Sequence, residues 1–477
     1  GTTFIFLTMA ISKEINKIFK KKKNSIFIKD TIKNKNHTYS DFFNKSNSIT
    51  NFLKSKKIKE GSKILIKFDN SYEYLCLVFA CLLGNFVACP IDTEIKKNKY
   101  NELEKILKPA IKITNAKQVK YIKKNYKNSI KDNSQFLIIF TSGTTGKPKG
   151  ISISNSAYIN SARSFSKLIG YNENTKILHI LPMYYNAGLL NTFFSALLSG
   201  SMIILSEKIS AYNIVNFWKN FEKEEINSFH LTPEIANTLT KLSIGKDLIE
   251  RIINLQIVST GSYLHPNIID KFEKIYKKRL LSCYGLTELG GPLTIQNWEN
   301  TYIEGSVGYH SKEIKIKILK ESSDKQILIK SPYLMSFFIN EKGKKLKPKL
   351  INGYFNTGDI GEYKKKELFI FGRRKDIVKK GAEIVSIPNI ENIFLKSKLI
   401  EEVSGLSDFD EIRGSKIYLF VKFKDHNNLY SAIDKLKKEI SKSLKRIELP
   451  DRIIPVPSLP KTYNGKVKKE ILRDIYL

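Results

Sequence analysis

The densest chemistry in the chain sits in one stretch, Phe136–Gly150, which reads FLIIFTSGTTGKPKG. An apolar run delivers a loop packed with hydroxyls, glycines and lysines. The glycines let main-chain N–H groups crowd around an anion. Ser142, Thr144 and Thr145 add neutral donors, and Lys147 and Lys149 add positive charge. Such a loop suits the tail of a polyphosphate. It is not the P-loop of kinases and ATPases. Only two residues separate Gly143 from Gly146, and Pro148 stands where that motif needs Ser or Thr.

Three more segments follow in order: YGLTELGG (Tyr284–Gly291), YFNTGDIGEY (Tyr354–Tyr363) with FGRRKDIVKKGAEI shortly after it, and PKTYNGKVKKEIL (Pro460–Leu472). With TSGTTGKPKG they resemble the ordered motifs of the adenylate-forming (AMP-binding) superfamily of synthetases and ligases. That superfamily holds acyl- and aryl-CoA ligases, the adenylation domains of peptide synthetases, and firefly luciferase. The resemblance spans nearly the whole chain, and four motifs in order are far more specific than one.

The resemblance implies a reaction. A carboxylate attacks the α-phosphorus of ATP, pyrophosphate leaves, and the acyl-adenylate passes its acyl group to a thiol, coenzyme A in the leading reading. Two anions must meet, so catalysis is mostly charge neutralisation and positioning. Thr141, Ser142, Gly143, Thr144, Thr145 and Lys149 would hold the outer phosphates. Glu288 would bind Mg2+, a hard cation served by one carboxylate plus phosphate oxygens. Thr287 would donate to the α-phosphate, and Tyr284 would lie near the adenine with Gly261. Asp359 would accept from both ribose hydroxyls, and Arg373 would reach the ribose or phosphate. Lys466 would bridge the substrate carboxylate and the α-phosphate. Lys375 would be the hinge about which a small domain turns, presenting Lys379–Glu383 to the thiol. The acyl pocket would be lined by Tyr185, Asn186, Ala187 and Gly188, by the turn Thr260–Ser262 including Gly261, and by Gly290 and Gly291.

Some residues depart from that pattern. LPMYYNAG lacks the Asp that amino-acid-activating members place there to pair with the substrate ammonium, which argues against an amino-acid substrate. Tyr185 stands where many acyl- and aryl-CoA ligases carry His. Asn389 replaces the first Glu of the usual EIE.

The elements that must position these residues are legible in the apolar pattern. KILIKF, EYLCLVFACLLG and NFVACPID read as strand, helix and strand, the start of a parallel α/β layer. KILHI, SMIILS, INSFHL, LQIVS and RLLSCYG read as a second set of buried strands, with Pro233 opening a helix after one of them. Residues 302–372 alternate as β structure. The expected fold is α/β and multidomain: a large domain over 1–373 with a β-rich part, and a small, mobile α+β domain over 374–477.

Composition narrows the class. The 477 residues are 42% hydrophobic, so a packed globular protein is expected. The net charge of +35 is almost all Lys, spread along the chain without an arginine-rich arm or interleaved aromatics. That argues against a nucleic-acid binder and fits compositional drift. Cys76, Cys81, Cys89 and Cys283 lack paired spacing, which points to reduced thiols in a cytoplasmic protein. Neither Tyr74–Pro90 nor the apolar start reads as a membrane span. Met9 reads as a plausible true start, with residues 1–8 upstream of it. The alternatives within the chemistry are a ligase that loads a carrier-protein phosphopantetheine and a stand-alone adenylation enzyme. A non-catalytic adenylate binder would lack Lys466, Glu288 or Asp359, and all three are present.

Overall fold

The computed structural model describes residues 11–122, 128–142, 148–210, 212–242, 244–252, 254–297, 303–319, 325–380, 383–410, 414–424, 428–462 and 466–477. Among these, two large mixed sheets and a three-stranded sheet carry the architecture. This is the α/β, multidomain class that the sequence pattern implies.

The first large sheet has seven strands. Four of them, Gln135–Ser142, Val87–Pro90, Lys63–Ile66 and the edge strand Ile111–Ile113, are paired parallel. The helix Tyr72–Leu83 packs on it. Ser71 caps its first turn by accepting from the Tyr74 N–H, and all but one of its twelve residues are buried. Its apolar run is therefore core, at about 1.5–3 kcal/mol per large side chain as an upper bound. No described helix is long and apolar enough to cross a membrane.

The second large sheet joins two characters. Lys176–His179, Ser228–Leu231, Gln256–Ser259 and the start of Leu281–Leu286 are parallel neighbours. From Leu281–Leu286 onward the sheet turns antiparallel, through Gly291–Ile295 and Ser306–His310 to Glu367–Arg373 and Tyr354–Lys364. The β-rich stretch and the α/β stretch are thus one continuous sheet.

Beyond Arg373 a turn, Arg374–Asp376, leads into the hairpin Ile377–Lys380 with Glu383–Ser386, then the helix Ile387–Leu395. The sheet Ile400–Asp410, Gly414–Phe423 and Arg452–Pro455 follows. This unit has cores of its own, one around Ile387, Phe394, Leu419 and Leu436. It docks on the larger part through the helix Pro266–Tyr276. The Asn267 N–H donates to Asn392 Oδ1 at 3.0 Å, its amide donates to the Leu395 carbonyl at 2.9 Å, and His265 lies 3.4 Å from the buried Glu391.

Candidate active site

Parallel strands present their carboxyl ends to one side, and ligands of open α/β sheets bind there. Four such ends lie side by side: the loop after Lys176–His179 carrying Tyr185 and Asn186, Thr232–Glu234 after Ser228–Leu231, Thr260–Ser262 after Gln256–Ser259, and Tyr284–Glu288 at the end of Leu281–Leu286. Thr260 N–H donates to the Leu231 carbonyl at 2.9 Å, locking two of these turns together.

At one end of this row, the strand Tyr354–Lys364 brings Asp359 within reach. Asp359 is buried. One carboxylate oxygen lies 2.9 Å from Arg373 Nε and the other accepts from the Tyr284 hydroxyl at 2.6 Å. The pairing of Asp359 with Arg373 across two adjacent antiparallel strands makes the first contact, and Arg373 also donates to the Thr357 carbonyl at 3.1 Å. Burial pushes the Asp359 carboxyl above its ordinary range, against the pull of Arg373 and the Tyr284 hydrogen bond. Burial and the Asp359 carboxylate hold the Tyr284 phenol well above its usual value. The charge of Glu288 bears on both Asp359 and Arg373.

Glu288 and Thr287 sit on a single 3-10 turn, Thr287–Leu289, whose carbonyl at Glu288 accepts from the Met335 N–H at 2.8 Å. Among the described residues no group of three or more His, Cys, Asp or Glu could hold a metal.

Lys466 arrives from the small unit. Its N–H donates to Thr462 Oγ1 at 3.1 Å and its carbonyl accepts from the Thr462 N–H at 2.8 Å. Lys466 is exposed. Loss of water, then the cations Arg373 and Lys375, hold it below the usual lysine range. Lys466 therefore lies on the Asp359–Arg373 side. Lys375 is exposed in the turn Arg374–Asp376, and Asp376 beside it takes Lys469 at 2.9 Å.

At the other end of the row, Gly261 has φ +99°, and a Cβ there would fall 2.2 Å from the Tyr185 hydroxyl. Only glycine fits beneath that ring. Asn186 is buried and accepts from the Tyr158 hydroxyl at 3.0 Å. The Gly188 carbonyl accepts from His179 Nε2 at 2.8 Å and from Thr192. Gly290 has φ +91°, and a Cβ there would fall 2.6 Å from Tyr333 Cβ; its carbonyl accepts from Ser161 at 3.1 Å. A buried π-helical turn, Leu190–Phe194, follows the Asn186 loop, an irregularity frequent at functional sites.

In the phosphate loop, Thr141 and Ser142 end the strand Gln135–Ser142, and Thr141 pairs with Lys149 on the antiparallel return strand. Gly143, Thr144 and Thr145 lie outside the described residues. The Lys149 ammonium sits 4.0 Å from the centre of the Phe338 ring, a cation–π contact the sequence did not suggest. Sequence reasoning also missed Glu234. The clue was an acidic residue directly after Pro233, at the carboxyl end of a buried strand.

The family model for AMP-binding enzymes matches residues 17–110 and 96–337, and that for the AMP-binding enzyme C-terminal domain matches 389–466. The chain belongs to the AMP-binding enzyme family. It is 27% identical to malonate–CoA ligase of Arabidopsis thaliana over 71% of this chain, and it spans 60% of that relative's length. It is 22% identical to long-chain-fatty-acid–CoA ligase FadD13 of Mycobacterium tuberculosis, covering 92% of this chain and 93% of the relative. It is 24% identical to 2-succinylbenzoate–CoA ligase of Staphylococcus epidermidis, covering 91% and 92%. Among solved structures, ATP-bound MatB from Rhodopseudomonas palustris superposes with a TM-score of 0.85 at 18% identity, over 97% of this chain and 98% of that one. MenE from Bacillus subtilis with its acyl-adenylate gives 0.83 at 18%, over 97% and 98%. At these identities the structural likeness establishes the fold.

Proposed function

We propose that this protein is an ATP-dependent acid–thiol ligase that forms an acyl-AMP and then an acyl-CoA thioester. The observation that supports the reading is the buried Asp359 held between Arg373 and Tyr284, with Tyr284 on the strand that ends at the Thr287–Leu289 turn. The malonate, long-chain-fatty-acid and 2-succinylbenzoate relatives are all named CoA ligases, which supports coenzyme A over a carrier protein.

Each residue then has a chemical task. Asp359, released from Tyr284 and Arg373, accepts from the ribose hydroxyls, and Arg373 turns to the nucleotide. Thr141, Ser142, Gly143, Thr144, Thr145 and Lys149 take the outer phosphates. Glu288 would hold Mg2+, which would draw charge off the phosphate oxygens. Thr287 and Lys466 neutralise the charge that builds between carboxylate and α-phosphate. Tyr185, Asn186, Gly188, Gly261 and Gly290 bound the acyl group. The small unit then turns about Lys375, withdrawing Lys466 and bringing up Lys379–Glu383 for thiol attack.

The test is pyrophosphate release by the full chain with ATP, Mg2+ and coenzyme A, over a panel of short, long and aromatic acids. The expected result is release that requires an acid and yields an acyl-CoA. A panel in which no acid triggers release overturns the reading.

A further inference from the structure

The joint between the two units holds a set of contacts that none of the tasks above uses. His265 stands just before the helix Pro266–Tyr276 of the larger part, and its Nε2 lies 3.4 Å from Glu391 Oε2. Glu391, on the helix Ile387–Leu395 of the small unit, is buried. Its other oxygen is engaged inside that unit: Oε1 accepts from the Gly405 N–H at 2.7 Å and lies 4.0 Å from Lys469 Nζ. Burial opposes its charge, but Lys469 and His265 hold the carboxyl below its ordinary range. Lys469 also takes Asp376, beside the proposed hinge Lys375, and it opens the helix Lys469–Tyr476 that follows Lys466. Glu391 thus joins the larger part on one side to the joint and the Lys466 segment on the other.

Weaker contacts surround this one. Asn267 makes its two bonds to Asn392 and the Leu395 carbonyl, Lys271 donates to the same carbonyl at 3.4 Å, and the exposed Lys241 lies 3.2 Å from Glu401. A turn of the small unit about Lys375 would leave Glu391 with Gly405 and Lys469, which move with it, and would part it from His265. Taking the donor from a buried carboxylate oxygen costs more than parting a surface pair, so His265 dominates the set. His265 is also tied to the proposed acyl end. Tyr263 and Leu264 alone separate it from the turn Thr260–Ser262, and the Tyr263 ring meets the His265 ring edge-on at 5.0 Å.

Resting on the ligase reading, we propose that His265 is a positioning residue for acyl-AMP formation. Through Glu391 and Lys469 it holds the small unit against the larger part, with Lys466 on the Asp359–Arg373 side. Its release lets the unit turn for thiol attack. A contact made in one of two orientations alone shifts the balance between them by its whole strength. Weakening it lowers the adenylating orientation relative to the other, so the two half-reactions move apart. A contact that only supports the fold lowers both together.

The experiment uses the full chain, an acid from the panel above that triggers release, and the prepared acyl-adenylate of that acid. Two rates are measured on one preparation: acid-dependent ATP–pyrophosphate exchange without coenzyme A, and acyl-CoA formation from the supplied acyl-adenylate. Their ratio does not depend on the fraction of protein that is folded. His265→Ala should lower the ratio of exchange to transfer by about tenfold, with the KM for ATP nearly unchanged. Asn267→Ala removes the bond to the Leu395 carbonyl but keeps the main-chain bond to Asn392, and should lower the ratio less. A ratio that stays or rises in His265→Ala overturns the proposal. Where that variant does not fold, Asn267→Ala decides in the same way. A wild type that turns over no acid sinks the ligase reading and this proposal with it; an unmoved ratio sinks only the role of His265.

Discussion

The two ends of the strand-end row are built differently. At the Asp359 end, charges are mutually satisfied: Arg373 and Tyr284 occupy both carboxylate oxygens. At the Tyr185 end, neutral groups dominate, and a buried acceptor, Asn191 Oδ1, finds no donor among the described residues. Burial holds His179 down to about 4 and His230 to about 3 there, so both rings are neutral. On the proposed reading, the first end suits a ligand whose charge pattern does not vary, the nucleotide. The second carries the idiosyncratic polarity that an acid of one class would answer.

That contrast can be broken at its charged end first. Lys466→Ala should lower acid-dependent pyrophosphate release by about 10²–10³-fold while the affinity for ATP changes little. Transfer from supplied acyl-adenylate to coenzyme A should be nearly untouched. Equal loss in both half-reactions would remove Lys466 from its proposed role. Next, Asp359→Asn should weaken nucleotide binding by about tenfold, read by calorimetry, because it removes a ribose acceptor and leaves Arg373 without its 2.9 Å partner. Arg373 is partly exposed, which limits the structural cost.

The neutral end should respond differently. Gly261→Ala forces a methyl against the Tyr185 hydroxyl at a backbone angle of +99°. Its signature should be a several-fold rise in KM for the acid, with a smaller change in KM for ATP. Equal changes in both constants would place Gly261 between the two ends.

A further effect is in stability. An unfolded histidine takes a proton near pH 6.5, but His179 does so only near 4. Unfolding therefore binds protons in that window, so the folded state loses stability as pH falls from about 6.5 towards about 4, by at most about 1.4 kcal/mol per pH unit for this group. Thermal melts across that range should show the slope, and His179→Gln should flatten it.

How much of this was legible beforehand varies by residue. The strands ending at His179, Leu231 and Ser259 were plain, because a parallel strand buried on both faces is an unbroken apolar run. Asp359, Arg373, Glu288 and Lys466 were recognisable from the local frames around them. Glu234 was not. Its meaning comes from Ser262, twenty-eight residues away, and from a parallel register that no local pattern encodes. The Lys149–Phe338 contact was hidden likewise, since Phe338 belongs to a strand far along the chain that pairs with Pro148–Ser154. That the β-rich stretch continues the α/β sheet was also hidden, because strand order is a long-range property.

By itself the sequence determined which residues can carry charge to a phosphate, where apolar runs become strands and helices, and which loops hold the glycines that can crowd an anion. Those are properties of side-chain chemistry and of a few neighbouring peptide units. The tertiary structure alone decided that Tyr284 and Arg373 hold opposite oxygens of one carboxylate and that half-buried Glu234 accepts from Ser262, the residue after Gly261. Those facts depend on which distant strands lie side by side, and packing of the whole core selects that order.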